Sequence, residues 1–548
     1  MSVGRLERFV PALCWLAGLV AAFHPTLRSG FATVQGYPGN DPRLVAFILE
    51  HSYRWLAGFP LHADFWSPPI FFPQQGVGAY TEILVGTAPP YWLARAAGAA
   101  PLTAYQLWML ACWSLNYVAG YALLRRVFAV GAAPAAAGAL LFAFGNARMA
   151  TMMHQQLVPY FYPVLAILAL ERVLRDDGAT GARAAAWLAV FAAALVAQFY
   201  TAFYTLYFCI LGLAAGLLWT LLLPSLRRPF LAALGRNALA VAACGLGAAL
   251  LAAPLAWRYL GAAGDVGFRA YDVERLPRPS SWLLMGPGNL LYGWVDHLKG
   301  FASWSRPMHH NGVGLLTLLL AAIGLARARR KPAVVLFVLA TATVFVATVR
   351  LPGDFSLFGL TRTLVPGGGA IRAVARVGAL LLFPVSAGLA LFLEQQSASG
   401  SRGARSLVVA LALLCFVEQL NISYGFEKPV IEARIARLAR HVDPGCAAFF
   451  LVRRGAAYDY DLQDDAMWVA LATGIPTVNG RSGATPPGWN LNRVQIADDA
   501  DRSRIETALA AWLAQSGVAR DRVCMIELEP DRPAAPGASI QRGDDEQR

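Results

Sequence analysis

Val10-Pro-Ala-Leu-Cys-Trp-Leu-Ala-Gly-Leu-Val-Ala-Ala-Phe-His24, and after it the polar turn Gly36-Tyr37-Pro38-Gly39-Asn40-Asp41-Pro42, decide the class of this chain. The first stretch is apolar and follows Arg5 and Arg8. It resembles a signal peptide, but no small-x-small cleavage site precedes the polar turn, so it reads as an uncleaved membrane anchor. The second stretch puts a carboxylate, Asp41, just outside that anchor. It opens a loop dense in aromatic residues and proline, with Asp64, Trp66, Pro68, Pro69, Phe71, Phe72 and Pro73, which closes on Tyr80-Thr81-Glu82.

The pattern of the anchor recurs along the chain. The 548 residues are 57% hydrophobic and only 14% charged, and the mean hydropathy is +0.48. Apolar runs of about 17–25 residues match a hydrocarbon layer ~30 Å thick. Inside lipid each backbone polar group must be satisfied within its own segment, so the runs are helices. The fold class is a polytopic α-helical membrane protein. Eleven spans are expected, near 9–24, 102–124, 132–147, 157–171, 183–198, 203–222, 237–254, 311–326, 332–349, 376–393 and 406–420.

Charge gives the orientation. Residues 1–424 hold 31 Lys/Arg against 15 Asp/Glu, an excess of +16, and residues 425–548 hold 15 against 18, or −3. The net +13 therefore belongs to the membrane part, where basic residues set topology, and is no footprint for nucleic acid. Arg5, Arg8, Arg125, Arg126, Arg172, Arg175, Arg183, Arg227, Arg228, Arg236, Arg327, Arg329, Arg330, Lys331, Arg402 and Arg405 crowd the short loops on one side. That side is cytoplasmic, and an odd number of spans puts the C-terminus outside.

The expected organisation is a transmembrane domain over 1–424, with outside loops 25–101 and 255–310 and shorter outside stretches at 147–156 and 350–375. Residues 83–97, broken by Pro89-Pro90, read as an interfacial or re-entrant helix. Residues 425–530 read as a small periplasmic α/β domain, with strands near 447–452 and 522–528 and helices near 464–473 and 505–515. Residues 531–548 read as a disordered tail. Of seven cysteines, Cys446 and Cys524 alone lie outside spans, each beside an expected strand. They are the disulfide candidates of an oxidising compartment; the alternative is two separate buried thiols.

Several residues carry chemical potential. Pro42 suits the first position of a helix, so Asp41 or Asn40 fits its N-cap; the functional alternative for Asp41 is a general base, or a carboxylate that binds a metal or an acceptor. Glu82 enters an apolar segment, where an ionisable group is a functional candidate. His154 lies in a short outside turn, either as a ligand or hydrogen-bond donor or as a solvated histidine. Tyr200, Tyr204 and Tyr207 mark a helix end, as site residues or interface anchors. Arg372 and Arg376 follow Gly367-Gly368-Gly369 and share one helix face. They form either a cradle for phosphate oxygens or a pair snorkelling to headgroups. His309-His310 lacks the ligand spacing of a metal site. No Walker loop, His-Glu-x-x-His or Gly-x-Ser-x-Gly occurs.

Taken together, these residues resemble the GT-C superfamily of integral-membrane glycosyltransferases, and more narrowly a bacterial GT-C-like group. The resemblance rests on Asn40-Asp41-Pro42, Phe71-Phe72-Pro73, Tyr80-Thr81-Glu82, Pro89-Pro90-Tyr91-Trp92-Leu93, His154-Gln155-Gln156-Leu157 and Ile371-Arg372-Ala373-Val374-Ala375-Arg376. In the tail it uses Pro476-Thr477-Val478-Asn479-Gly480-Arg481-Ser482-Gly483 with Pro486-Pro487. It implies transfer of a sugar from a polyprenyl-phosphate donor to a lipid or glycan acceptor of the cell envelope, on the outer face of the bacterial inner membrane. It implies Asp41 as the catalytic carboxylate, Glu82 and His154 positioning the acceptor or a metal, and Arg372 and Arg376 on the lipid phosphate. It admits a divalent metal without requiring one, because a clear Asp-x-Asp is missing. The tail motif reads as a structural loop or as a binding loop for an acceptor glycan against Trp489. The competing reading is a non-catalytic transporter, flippase or assembly factor for envelope polysaccharide. Spans almost free of charge, with the acids gathered outside, favour surface chemistry over translocation.

Overall fold

The computed structural model describes residues 8–36, 39, 41–175, 181–267, 272–304, 306–398, 401–455 and 460–529. The expected tail 531–548, together with Asn40, lies outside these residues. Among the described residues seven helices are long and apolar enough to cross a membrane, or eight if the bent pair Pro332–Thr348 and Pro352–Leu364 counts as one span. They are Val10–Arg28, Pro101–Arg126, Gln155–Leu174, Gly181–Phe199, Phe203–Leu222, Ala238–Val266 and Val374–Ser397. The other expected spans fall on shorter helices. Ala132–Phe144 and Leu315–Arg327 have 13 residues each, about 20 Å at 1.5 Å per residue. The stretch 83–97 holds the eight-residue helix Pro89–Ala96, too short to cross.

Packing separates inner helices from outer ones. Gly378–Ser397 is nearly enclosed, with Leu382, Ala387, Leu389 and Ala390 buried. The helix Leu315–Arg327 approaches it at small residues. A side chain at Gly324 would meet the Gly388 carbonyl at 2.0 Å, and one at Gly388 would meet the Ala321 carbonyl at 2.4 Å. Such small-residue contacts let backbones close in where lipid supplies no hydrophobic drive between helices. Ala238–Val266 instead points Leu239, Leu246, Leu250, Leu251 and Leu260 outward. A helix that is apolar and exposed all round fits a lipid surround.

The same helix outlasts the hydrocarbon layer at 29 residues, and its far end grips the first loop. Arg258 lies over the Trp66 ring at 5.4 Å. Tyr259 donates to the Thr81 carbonyl, and Tyr80 donates to Asp265. Below, the Pro89–Ala96 helix is fastened to the Asp41–Leu56 helix through buried Glu50. That carboxylate accepts from Tyr91, Arg54 and Arg95 at 2.7–2.8 Å.

After the spans, the chain forms a small α/β unit. Strand β3 (Ala448–Arg454) is central, between β4 (Gln495–Ile496) and β5 (Val523–Leu528), all parallel. Its first five residues are buried in succession, as a parallel strand covered on both faces requires. The helices Tyr460–Thr473 and Asp499–Gln515 fill the crossovers. Cys446 and Cys524 are disulfide-linked at the start of β3 and β5, with Cα atoms 5.8 Å apart.

The unit is tied to the first loop. Strand β1 (Thr33–Gln35) pairs antiparallel with β2 (Gly425–Glu427). Further on, the Phe71 and Phe72 amides donate to the carbonyls of Asn479 and Thr477, and the Thr477 amide donates to Pro69. Phe71 meets Trp489 edge-on at 4.8 Å, and Trp512 donates to the Phe72 carbonyl. A side chain at Gly480 would strike the Phe71 ring at 2.7 Å, so this crossing needs glycine. Buried Asp465 pairs with Arg43 of the Asp41–Leu56 helix and with Arg434, both at 2.5 Å.

Removing one partner of a buried ion pair leaves charge without compensation, which costs about 3–5 kcal/mol. Asp465→Ala strands two guanidinium groups, so it should lower the melting temperature of the detergent-solubilised protein by several degrees. An unchanged melting curve would show that this clasp contributes nothing.

Candidate active site

Asp41 is the first residue of the Asp41–Leu56 helix, where a negative charge is favoured by the helix dipole. Its oxygens are taken by side chains from two distant segments. His154 Nδ1 lies 2.7 Å from Oδ2, and Gln156 Nε2 donates to the same oxygen at 2.7 Å. Arg481 Nη1 lies 3.2 Å from Oδ1. His154 and Gln156 sit on a pair of single 3-10 turns, Ala150–Met153 and Gln155–Leu157, with His154 between them at φ −130°. Arg481 comes from the tail, where Asp464 receives it through two bonds, Nε at 2.7 Å and Nη2 at 2.8 Å. Burial pushes the Asp41 carboxyl up. The charge that His154 carries when protonated, the hydrogen bonds from His154 and Gln156 and the charge of Arg481 outweigh it and hold the group below the usual carboxylate range.

A second cluster adjoins the first. Glu82 accepts from the Phe203 amide at 2.7 Å and the Tyr204 amide at 3.4 Å, at the start of the Phe203–Leu222 helix. The Tyr204 hydroxyl in turn accepts from the Arg372 amide at 2.8 Å, and its ring lies 5.0 Å from the Arg376 guanidinium carbon. Arg376 Nε is buried without a hydrogen-bond partner. Arg376 lies among Thr151, Leu157, Tyr160, Tyr204 and Thr205. The clusters meet at Arg481-Ser482-Gly483: Arg481 holds Asp41, and Arg372 Nη2 donates to the Gly483 carbonyl at 2.9 Å.

The structure thus brings Asp41 and His154 into direct contact, and Arg372, Arg376 and Glu82 into the adjoining cluster. Tyr200 stands apart, its hydroxyl spent on the Leu251 carbonyl. His309 is held between Ser281 and the Glu274 carbonyl, and His310 lies 3.0 Å from Asp296. Arg481 and Gln156 were not singled out as site residues from sequence. Both stand inside motifs that attract attention, but neither shows there that it faces Asp41.

The donor set around Asp41 does not suit a divalent cation. The guanidinium of Arg481 already supplies the positive charge against Oδ1. Among the described residues no three His, Cys, Asp or Glu side chains gather as metal ligands. Beside Arg481, a cleft runs along a largely buried side of the Asp41–Leu56 helix, lined by Leu44, Phe47, Ile48, His51, Phe65 and Thr81 among others. Burial pushes His51 down to about 4, which keeps that wall of the cleft uncharged at neutral pH.

No protein-family model and no curated protein sequence matches this chain. Solved structures do. The archaeal oligosaccharyltransferase AglB from Archaeoglobus fulgidus, solved with an inhibitory peptide and a dolichol-phosphate, aligns with a TM-score of 0.51 at 12% identity, over 87% of this chain. The chain spans 64% of the AglB chain. ArnT from Cupriavidus metallidurans aligns with a TM-score of 0.42 in its apo state, at 13% identity over 86% of this chain and 89% of that one. Bound to undecaprenyl phosphate, ArnT aligns at 0.36 and 13% identity, over 87% and 90%. The AglB likeness shows the fold alone: over most of its length this chain has the fold of that structure.

Glu82 yields a pH prediction. Burial pushes its carboxyl up to about 7 from an ordinary 4.5, against the Phe203 and Tyr204 amides and the Arg376 charge. The folded state therefore holds this proton more tightly than the unfolded chain. Stability tied to the group is full below about pH 4.5 and is lost as pH rises through about 7. Glu82→Gln keeps an oxygen for the Phe203 amide but no titrating proton. Its melting temperature should match the parent at pH 4.5 and exceed it at pH 8. A parallel fall in both proteins across that range would refute the assignment.

Proposed function

We propose that the protein is a glycosyltransferase of the bacterial inner membrane, moving a sugar from a polyprenyl-phosphate donor to an envelope acceptor on the outer face. The tail 425–530 lies on the periplasmic side in this reading and the N-terminus in the cytoplasm. The observation that carries it is the Asp41 carboxylate, held ionised by three side chains from two distant segments beside a cationic cluster. Structural elements alone do not need a partly exposed acid so heavily oriented.

The division of labour follows from charge. Glycosyl transfer leaves a phosphate carrying the electron pair of the broken bond. Arg372 and Arg376 are the cations available to neutralise it, and Arg376 still has a buried N–H without a partner. AglB, whose fold this chain shares, was solved with a dolichol-phosphate, a ligand with the same polyprenyl-phosphate chemistry. The acceptor hydroxyl belongs at the Asp41–His154 pair, with the apolar cleft beside Arg481 as its approach. Glu82 acts through Tyr204, fixing the backbone from which both arginines project.

The test uses purified full-length protein in lipid nanodiscs, with undecaprenyl-phosphate-linked hexose and pentose as donors and bacterial envelope lipid as acceptor. The parent should release undecaprenyl phosphate with at least one donor. Asp41→Asn should lower the rate by about 100-fold or more, the scale of a positioned proton-transfer group. Arg372→Ala with Arg376→Ala should chiefly raise KM for the donor. Full activity in Asp41→Asn would overturn the reading.

A further inference from the structure

Within the proposed reaction, we infer that the atom accepting the acceptor's proton is His154 Nε2, and that Asp41 is the positioning residue behind it. The inference rests on the glycosyltransferase reading and deepens it.

Hydrogen-bond inventory fixes the tautomer. An ionised carboxylate only accepts, so the 2.7 Å contact to Asp41 Oδ2 requires His154 Nδ1 to donate. The neutral imidazole then carries its lone pair on Nε2. Among the described residues no group bonds to Nε2, and the His154 side chain is 26% exposed. The geometry leaves one free, oriented basic nitrogen.

Asp41 is the poorer base in this arrangement. Oδ2 already accepts from His154 and Gln156, and Oδ1 faces Arg481. A proton arriving on Asp41 would convert its ion pair with Arg481 into a neutral contact. A proton arriving on His154 would convert a neutral donor facing Asp41 into an ion pair. The second change strengthens the network and the first weakens it. The low proton affinity of the carboxyl agrees with this ordering. Asp41, Arg481 and, through Arg481, Asp464 are the charged groups facing the imidazole, and Tyr105 is a further titratable group near Asp41.

The step balances. The acceptor O–H bond breaks and its proton moves to Nε2, while the oxygen bonds to the anomeric carbon. The bond from that carbon to the phosphate oxygen breaks, and its electron pair stays on the lipid phosphate. Asp41 stabilises the imidazolium, which returns its proton to solvent or to the phosphate.

Two measurements decide the matter, on the full-length protein in nanodiscs with the same undecaprenyl-phosphate donors. First, kcat/KM should rise with pH in the parent as the imidazole loses its proton. His154→Gln should lose about 100-fold together with that rise, with little change in donor KM. Imidazole in the buffer should restore part of the rate to His154→Ala, which also shows that the variant is folded. Second, diethylpyrocarbonate, which modifies unprotonated imidazole, should label His154 with a pH midpoint that falls in Asp41→Asn. Transfer that persists in His154→Gln with an unchanged pH profile would overturn the inference and leave the glycosyltransferase reading standing. An identical labelling midpoint in parent and Asp41→Asn would also overturn it. A parent that releases no undecaprenyl phosphate from any donor would instead overturn the reading on which it rests.

Discussion

Arg481 serves two carboxylates at once, and the site exists only while it does. Its guanidinium gives two bonds to Asp464 and one contact to Asp41. Asp464 is buried within the tail, whereas Asp41 begins a helix of the first loop. Taking either acid out of water costs several kcal/mol unless it is paired. One planar cation satisfies both because its fork presents separate N–H edges. The neighbouring acid Asp465 takes Arg43 two residues along. Adjacent acids of one helix thus hold the first turn of another at two points, which sets the direction in which Asp41 faces.

Two further carboxylates serve the fold in a second way. Glu82 meets the free amides of the Phe203–Leu222 helix. Glu418 does the same for Leu315–Arg327, accepting from the Leu316 and Thr317 amides at 2.9 and 2.8 Å and from the Tyr292 hydroxyl at 2.5 Å. Helix starts leave four amides without internal partners, and few waters reach a crowded membrane boundary. A carboxylate from another segment answers both needs, satisfying donors and fastening a loop to a span. Glu82 caps one helix while fixing the tyrosine beneath Arg376.

Much of this was legible in the sequence because it is local. Apolar runs located the long helices, and alternation with turns located β3, β5 and the two crossover helices. Asp41 and His154 stood out by residue type at helix ends. What remained hidden was long-range. Arg481 lies 440 positions from Asp41, and nothing in Asn479-Gly480-Arg481-Ser482 says which acid it meets. The pairing of β1 with β2 was equally silent, since each strand has three residues and periodicity needs more. Eleven apolar runs were expected to span, and among the described residues seven helices, or eight with the bent pair, are long and apolar enough to do so. Hydropathy sees apolar content, and a 13-residue helix sheltered by longer neighbours is as apolar as one that crosses.

Those short helices have a consequence for the site. Ala132–Phe144 stops early, and the chain continues into Asn146–Met149 and the turn that bears His154. Irregular backbone at such depth is tolerated only where protein, not lipid, surrounds it. The surroundings supply that cover. Gln419 accepts from the Asn146 amide and donates to the Val313 carbonyl, and Asn146 donates to the Gly312 carbonyl. Arg148, fully buried, stacks on Tyr160 at 4.2 Å and on Phe142 at 5.3 Å. A helix of full length would carry its turn farther out, away from Asp41. The shortfall of about two turns, against the ~20 residues of a complete span, leaves the turn that follows where His154 meets Asp41.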